Sequence, residues 1–151
     1  MFLKGHMQNA YVTHDLDQAV ALISERYGVT DWQILAPDMT VKTLAGEQPM
    51  VVRVGSAWLG GLNLELIQPV SGYVDHYVNM LPADKGDPVP RFHHISLRRD
   101  DEAPVSIKDA IPSLVFVYLD ARATLGHYLE FTWKSPEAWK YVGWPEGRPV
   151  W

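Results

Sequence analysis

Apolar residues recur at helical spacing over one clear stretch of the first half of the chain. Leu16, Ala19, Val20, Ile23 and Tyr27 share a face, which predicts an amphipathic helix over 16–27. Asp15, followed three positions later by Gln18, has the form of a capping box, and Gly28 supplies the left-handed residue that closes many helices. Around this helix the pattern is that of strands, predicted at 6–13, 32–41, 50–59 and 62–68, with Gly60-Gly61 turning the last pair. The first half therefore reads β-α-β-β-β.

Residues 71–91 hold Pro82, Gly86, Pro88 and Pro90 around a short helical turn expected at 75–81, the composition of a connector. Strand patterns resume at 92–98, 114–119 and 127–133, with a weaker one at 104–111. The tail, 135–151, carries Trp139, Trp144 and Trp151 and is expected to pack over the core or a neighbouring subunit. The expected organisation is one domain: a first module at 5–70, a linker at 71–91, a second module at 92–134 and the tail.

The two halves repeat each other, which implies duplication of one structural unit. Gly61-Leu62-Asn63-Leu64-Glu65-Leu66 matches Gly126-His127-Tyr128-Leu129-Glu130-Phe131. Earlier in each half, Gln8 to Asp15 corresponds to His94 to Asp101, a strand running into acidic residues. The second copy is shorter by about a helix and its turn, and Asp101-Glu102-Ala103-Pro104 is too short and Pro-broken to hold one.

Strand alternation then assigns side chains to faces. Leu62, Leu64 and Leu66 take the helix-covered side, which leaves Asn63, Glu65 and Ile67 on the other. By the same rule Tyr128, Glu130 and Thr132 share a polar face, as do His94, Ser96 and Arg98, and Gln8 lies with Ala10 and Val12. His93 and His94 are adjacent, so one of them is expected to point away, and His93 reads as a core or edge histidine. His127, opposite Glu130, reads as structural. His6 shares the parity of Gln8 and rivals it as the first donor, although the repeat register favours Gln8. An inward carboxylate is costly unless it is paired, hydrogen-bonded or metal-bound. Gln8, Glu65, His94 and Glu130 form an N/O donor set that suits a divalent Zn, Ni, Co, Mn or Fe ion. Arg98 on the same face suits a substrate carboxylate or phosphate, or a salt bridge to a glutamate.

These residues resemble the vicinal-oxygen-chelate superfamily of glyoxalase I, bleomycin-resistance proteins, methylmalonyl-CoA epimerase and extradiol dioxygenases. The resemblance spans roughly 5–134 and rests most on Phe92-His93-His94-Ile95 and on Asp120-Ala121-Arg122 leading to Gly126-His127-Tyr128-Leu129-Glu130. It implies an α+β fold in which two βαβββ modules form a cupped mixed sheet, the second with a shortened or missing helix. It also implies metal ligation by Gln8, Glu65, His94 and Glu130, in an order closest to glyoxalase-I-like members. Glu130 would be the general base, and Arg98 and Tyr128 would contact substrate. The implied function is a metal-dependent lyase, isomerase or epimerase acting on a small carbonyl substrate through an enediolate. Val12 and Pro69 stand where glutathione-dependent glyoxalases carry an arginine and an asparagine, so glutathione is not implied. Two alternatives stay open: a bleomycin-resistance-like small-molecule-binding protein, and an extradiol-type dioxygenase with His6 in place of Gln8. The family also leads to the expectation of a homodimer.

Composition narrows the partners. A net charge of −5 without any Lys/Arg cluster argues against nucleic acid and anionic membranes. No cysteine is present, so thiolate chemistry and Cys-based metal sites are excluded. The start, Met1-Phe2-Leu3-Lys4-Gly5-His6, has no signal-peptide core, and the expectation is a cytoplasmic protein.

Overall fold

The computed structural model describes residues 3–100 and 114–147. Strand β1 (His6–Val12) leads into helix α1 (Leu16–Tyr27), then β2 (Gln33–Leu35), β3 (Asp38–Thr43), β4 (Gly46–Leu59) and β5 (Leu62–Gly72). Helix α2 (Asp75–Val78) opens the connector. Strand β6 (Arg91–Arg98), β7 (Leu114–Asp120), helix α3 (Arg122–Leu125), β8 (Tyr128–Lys134) and helix α4 (Pro136–Tyr141) follow. The expected strand at 104–111 lies outside the described residues. Among the described residues no helix is long and apolar enough to cross a membrane.

The sheet order is β2-β4-β5-β1-β6-β8-β7, with β3 also on β4. The expected strand at 32–41 is thus split into β2 and β3, both pairing with β4, and the break falls at Ala36-Pro37, where proline has no N–H to give the ladder. The duplication is visible in the pairing. Each module's first strand is parallel to its last, β1 with β5 and β6 with β8, and the modules join where β1 and β6 run antiparallel. The result is the expected α+β architecture with a curled half-barrel sheet.

Helix α1 forms where the pattern placed it. Asp15 Oδ1 accepts from the Gln18 backbone N–H at 3.0 Å, and Gly28 at φ 71° closes the far end onto Ser24 O. Leu16 and Ala19 bury against Leu66, with Tyr11, Val20, Ile23 and Trp32 around them. Tyr27, expected on the buried face, is 73% exposed. Gln68 Oε1 accepts from both the Leu16 N–H and Arg53 Nη1, at 3.1 Å each, which pins the helix start to β5 and β4.

On the opposite, concave face Ala10, Val12, Met50, Val52, Ile67, Val74 and Tyr77 form the other apolar cluster. The tail closes one side of it as expected. Ser135 caps α4, Trp139 is buried, and Trp58 donates from Nε1 to Val142 O.

Gly72 ends β5 at φ +79°, and a Cβ there would lie 2.1 Å from Pro49 O. Gly60 is also left-handed, at φ +63°, but faces open space. Gly72→Ala should therefore lower stability by about 1–3 kcal/mol and by more than Gly60→Ala, because it adds a backbone clash to the strain. Chemical denaturation checks this, and equal midpoints for the two variants would count against the clash.

Candidate metal centre

Two irregularities in the β1–β6 pairing build the site. His6 pairs with Leu97 but Gln8 with Ser96, so Met7 is an extra residue; Ala10 pairs with His94 but Tyr11 with Phe92, so His93 is another. A bulge reverses the parity of the residues beyond it. His6 therefore turns away, is exposed and donates from Nε2 to Asn9 Oδ1 at 2.8 Å, while Met7 and Gln8 both line the concave face. Gln8, and not His6, therefore faces the cavity. The second bulge overturns the expectation that one of the paired histidines points away, since His93 and His94 are both fully buried, 2.9 Å apart through their Nδ1 atoms.

The parallel neighbours bring the carboxylates. Glu65 on β5 stands beside Ala10, and Glu130 on β8 beside Ser96. His94 Nε2 lies 3.2 Å from Glu130 Oε2 and 3.9 Å from Glu65 Oε2. Gln8 donates from Nε2 to Asn63 Oδ1 at 2.9 Å, and Asn63 is itself held by Ser56. Gln8, Glu65 and Glu130 thus line one cavity of about 230 Å³, otherwise walled chiefly by apolar side chains such as Met50, Val52, Ile67 and Phe116, and His94 lies buried directly behind the two carboxylates.

A chain of hydrogen bonds sets the ring of His94. The carbonyl of His76 can only accept, so His93 Nε2 carries the proton it donates at 3.1 Å. Burial, aided by the charge that His94 can carry, pushes the His93 pKa down to about 3 against its bond to His76, so its Nδ1 is a bare acceptor. His94 must then donate from Nδ1. Nε2 is thereby aimed at the two carboxylates, with no hydrogen bond of regular geometry among the described residues: it is a proton donor to Glu130 when the ring is charged and a lone pair for a cation when it is neutral. Tyr77 and Tyr118, bonded through their hydroxyls at 2.9 Å, pack their rings against the two imidazoles.

The two carboxylates sit in unlike surroundings. Burial raises Glu65 to a pKa of about 7, and the charge of Glu130 adds to it, against the opposing pull of His94, Lys134 and Gln8. Burial also acts to raise Glu130, but the His94 ring, the Thr132 hydroxyl and Lys134 outweigh it and hold that carboxyl below the usual range. Glu130 Oε1 accepts from Ser96 Oγ at 2.9 Å and from Thr132 Oγ1.

The other expected site residues lie further out. Arg98 pairs with Asp100 at 2.9 Å and stacks on Trp139 and Trp144, and it is not among the cavity-lining residues. Tyr128 stacks on His93 at 4.8 Å, with the Arg122 guanidinium 4.7 Å from its ring, behind the cavity. His127, read as structural, donates from Nδ1 to Tyr128 O and packs on Phe92. Strand alternation puts Asn63, Ser96 and Thr132 on the right faces but assigns them no roles. Lys134 went unnoticed in the sequence, although extending the alternation of Glu130 and Thr132 by two residues reaches it.

No protein-family model matches the chain, and no curated protein matches it in sequence. Among solved structures, a variant of Streptomyces coelicolor methylmalonyl-CoA epimerase in complex with 2-nitronate-propionyl-CoA superposes with a TM-score of 0.55 at 17% identity, over 89% of this chain and 96% of that one. A hypothetical protein of Bacillus halodurans C-125 superposes with a TM-score of 0.50 at 12% identity, over 85% and 93%. The chain has the vicinal-oxygen-chelate fold. In that fold the four donors stand one per strand on β1, β5, β6 and β8, on either side of the seam between modules. The resemblance to this fold included methylmalonyl-CoA epimerase, and the glyoxalase-I-like ligand order is not matched by a glyoxalase among these structures.

If His93 fixes the ring of His94, His94 Nδ1 should be protonated throughout the metal-free protein by ¹⁵N NMR. His93→Phe should shift part of the population to Nε2–H, and His93→Asn, which restores an acceptor near the Nδ1 position, should reverse it. An unchanged tautomer in His93→Phe would rule the relay out.

Proposed function

We propose that the chain is a metal-dependent epimerase or isomerase that moves a proton at a carbon beside a carbonyl. The observation that carries this is His94 Nε2, buried without a hydrogen bond, with Glu130 and Glu65 oxygens 3.2 and 3.9 Å away at the wall of an apolar cup. An imidazole lone pair and two carboxylates drawn to one point, with the Gln8 amide beside them, suit a first-row divalent cation better than any other single partner. Bound by Gln8, Glu65, His94 and Glu130, such an ion would supply Lewis-acid stabilisation of negative charge on the substrate oxygens.

The remaining work falls to side chains. Glu130 is the proton carrier: the Ser96 and Thr132 hydroxyls hold one of its oxygens and so fix the direction of the other. His93 keeps the His94 ring in one orientation, and Asn63 does the same for the Gln8 amide. The apolar wall lowers the local dielectric, which strengthens the interaction of these groups with developing charge. The choice of epimerase or isomerase over lyase draws on the reaction named for the structural neighbour, and its substrate is not carried over with it.

One observation favours a second reading. Among the described residues, no group of three or more His, Asp or Glu side chains is already arranged to hold a metal ion. A binding protein that sequesters an apolar molecule in the same cup needs no such group.

Elemental analysis of tag-free protein separates the two. About one metal per chain is expected, lost in both Glu65→Ala and Glu130→Ala. Solvent deuterium should enter the carbon beside the carbonyl of a turned-over substrate, and Glu130→Gln should slow that exchange by about 10²–10⁴-fold. Absence of metal after supplementation, with ligand binding that survives chelator, would replace the enzyme by the binding protein.

A further inference from the structure

The cup holds one charged group that the proton chemistry does not use. Lys134, the last residue of β8, lies on the Glu130 and Thr132 side of that strand, and its half-buried side chain lines the cavity. Among the described residues its ammonium has no hydrogen bond and no ion pair; its one close contact is the ring of Trp139, 4.5 Å from Nζ. Burial lowers its pKa, as does nearby Arg98, while Glu130 and Glu65 oppose them.

A second donor without an acceptor sits on the same ring. Trp139 also lines the cavity and is 4% exposed, and among the described residues its buried Nε1–H has no hydrogen-bond partner. Arg98 approaches that ring at 4.5 Å, but its charge is already paired with Asp100. Lys134 thus joins Glu65 and Glu130 as a charged residue of the cavity lining, near enough to feel both carboxylates, with apolar side chains over most of the rest. An unpaired charge facing an apolar space is costly, and an incoming anion relieves that cost where water does so poorly.

We propose that Lys134, seated on Trp139, is the anion-binding residue of the cup, and that the substrate is consequently a carboxylic acid with an apolar body. This rests on the cup being a small-molecule site. The acid's carboxylate meets the ammonium while its apolar part lies along Met50, Val52 and Phe116, leaving Glu65 and Glu130 to the reacting carbon. Arg98, which the sequence offered for this role, instead holds Trp139 in place from outside the cavity lining.

The test uses the full chain freed of metal by chelator, so that a carboxylate has no metal to chelate and the outcome is independent of whether the protein proves to be an enzyme. Phenylacetate and its uncharged isostere phenylacetamide are titrated in turn, with the Trp139 indole N–H followed by NMR and assigned with Trp139→Phe. Phenylacetate is expected to shift that resonance saturably and to bind about tenfold more tightly than the amide, a difference of about 1.4 kcal/mol. Lys134→Met should bring the two within about twofold of each other, and Lys134→Arg should retain the preference for the acid. Unchanged amide resonances elsewhere show that both variants are folded. Equal binding of acid and amide, a preference that survives Lys134→Met, or no binding of the acid up to about 10 mM would each overturn the proposal.

Discussion

Everything at the concave face depends on one pairing, the antiparallel seam between β1 and β6. Each module places its first strand parallel to its last, so the seam sets β5 and β8 on its two flanks and with them Glu65 and Glu130. Gln8 and His94 lie on the seam itself. A slip of one residue there would carry a donor to the helix-covered side. The two extra residues, Met7 and His93, are the local departures from regular pairing, and both are buried. The bulge at His93 converts a neighbour that would have faced away into the group that holds the His94 ring.

The cost of the arrangement is the burial of ionisable groups in an apolar cup, and the structure offsets it unevenly. Glu130 receives two hydroxyl donors and the His94 ring, and it stays charged. Glu65 has fewer donors and is pushed toward neutrality. Two identical side chains in matched positions of a duplicated unit thus sit in unlike surroundings, one rich in hydrogen-bond donors and the other poor in them. The tyrosine pair Tyr77 and Tyr118 contributes ring surface behind the imidazoles and bonds its polar atoms to each other.

The tail turns an open half-barrel into a cavity. Helix α4 is only six residues long, but Ser135 caps it, and Trp139 and Val142 from this segment join β4 and β8 in lining the cup. The indole of Trp58 reaches Val142 O at 2.6 Å and meets Trp144 edge-on at 5.8 Å, so the segment is tied to β4. Cations on the Trp139 ring add to that hold.

Much of this was written in local pattern. Helical spacing gave α1 its limits, because Asp15 and Gly28 act on backbone groups within a turn of themselves. The matched glycines and glutamates revealed the duplication, because repeated units fold into repeated strands. Strand parity put Glu65, Glu130 and Gln8 on the concave face, and that rule needs nothing beyond the chain's own geometry. Parity failed at His6 and His93, where an extra residue against a partner strand about 85 positions away resets the alternation. No local signal marks that event, since a bulge is a property of two strands together. The same holds for Lys134, whose unpaired ammonium has meaning only once Trp139 and an apolar wall surround it. The sequence by itself determined which residues could serve; the register of distant strands decided which of them meet, because a hydrogen-bonded ladder is fixed by both of its edges.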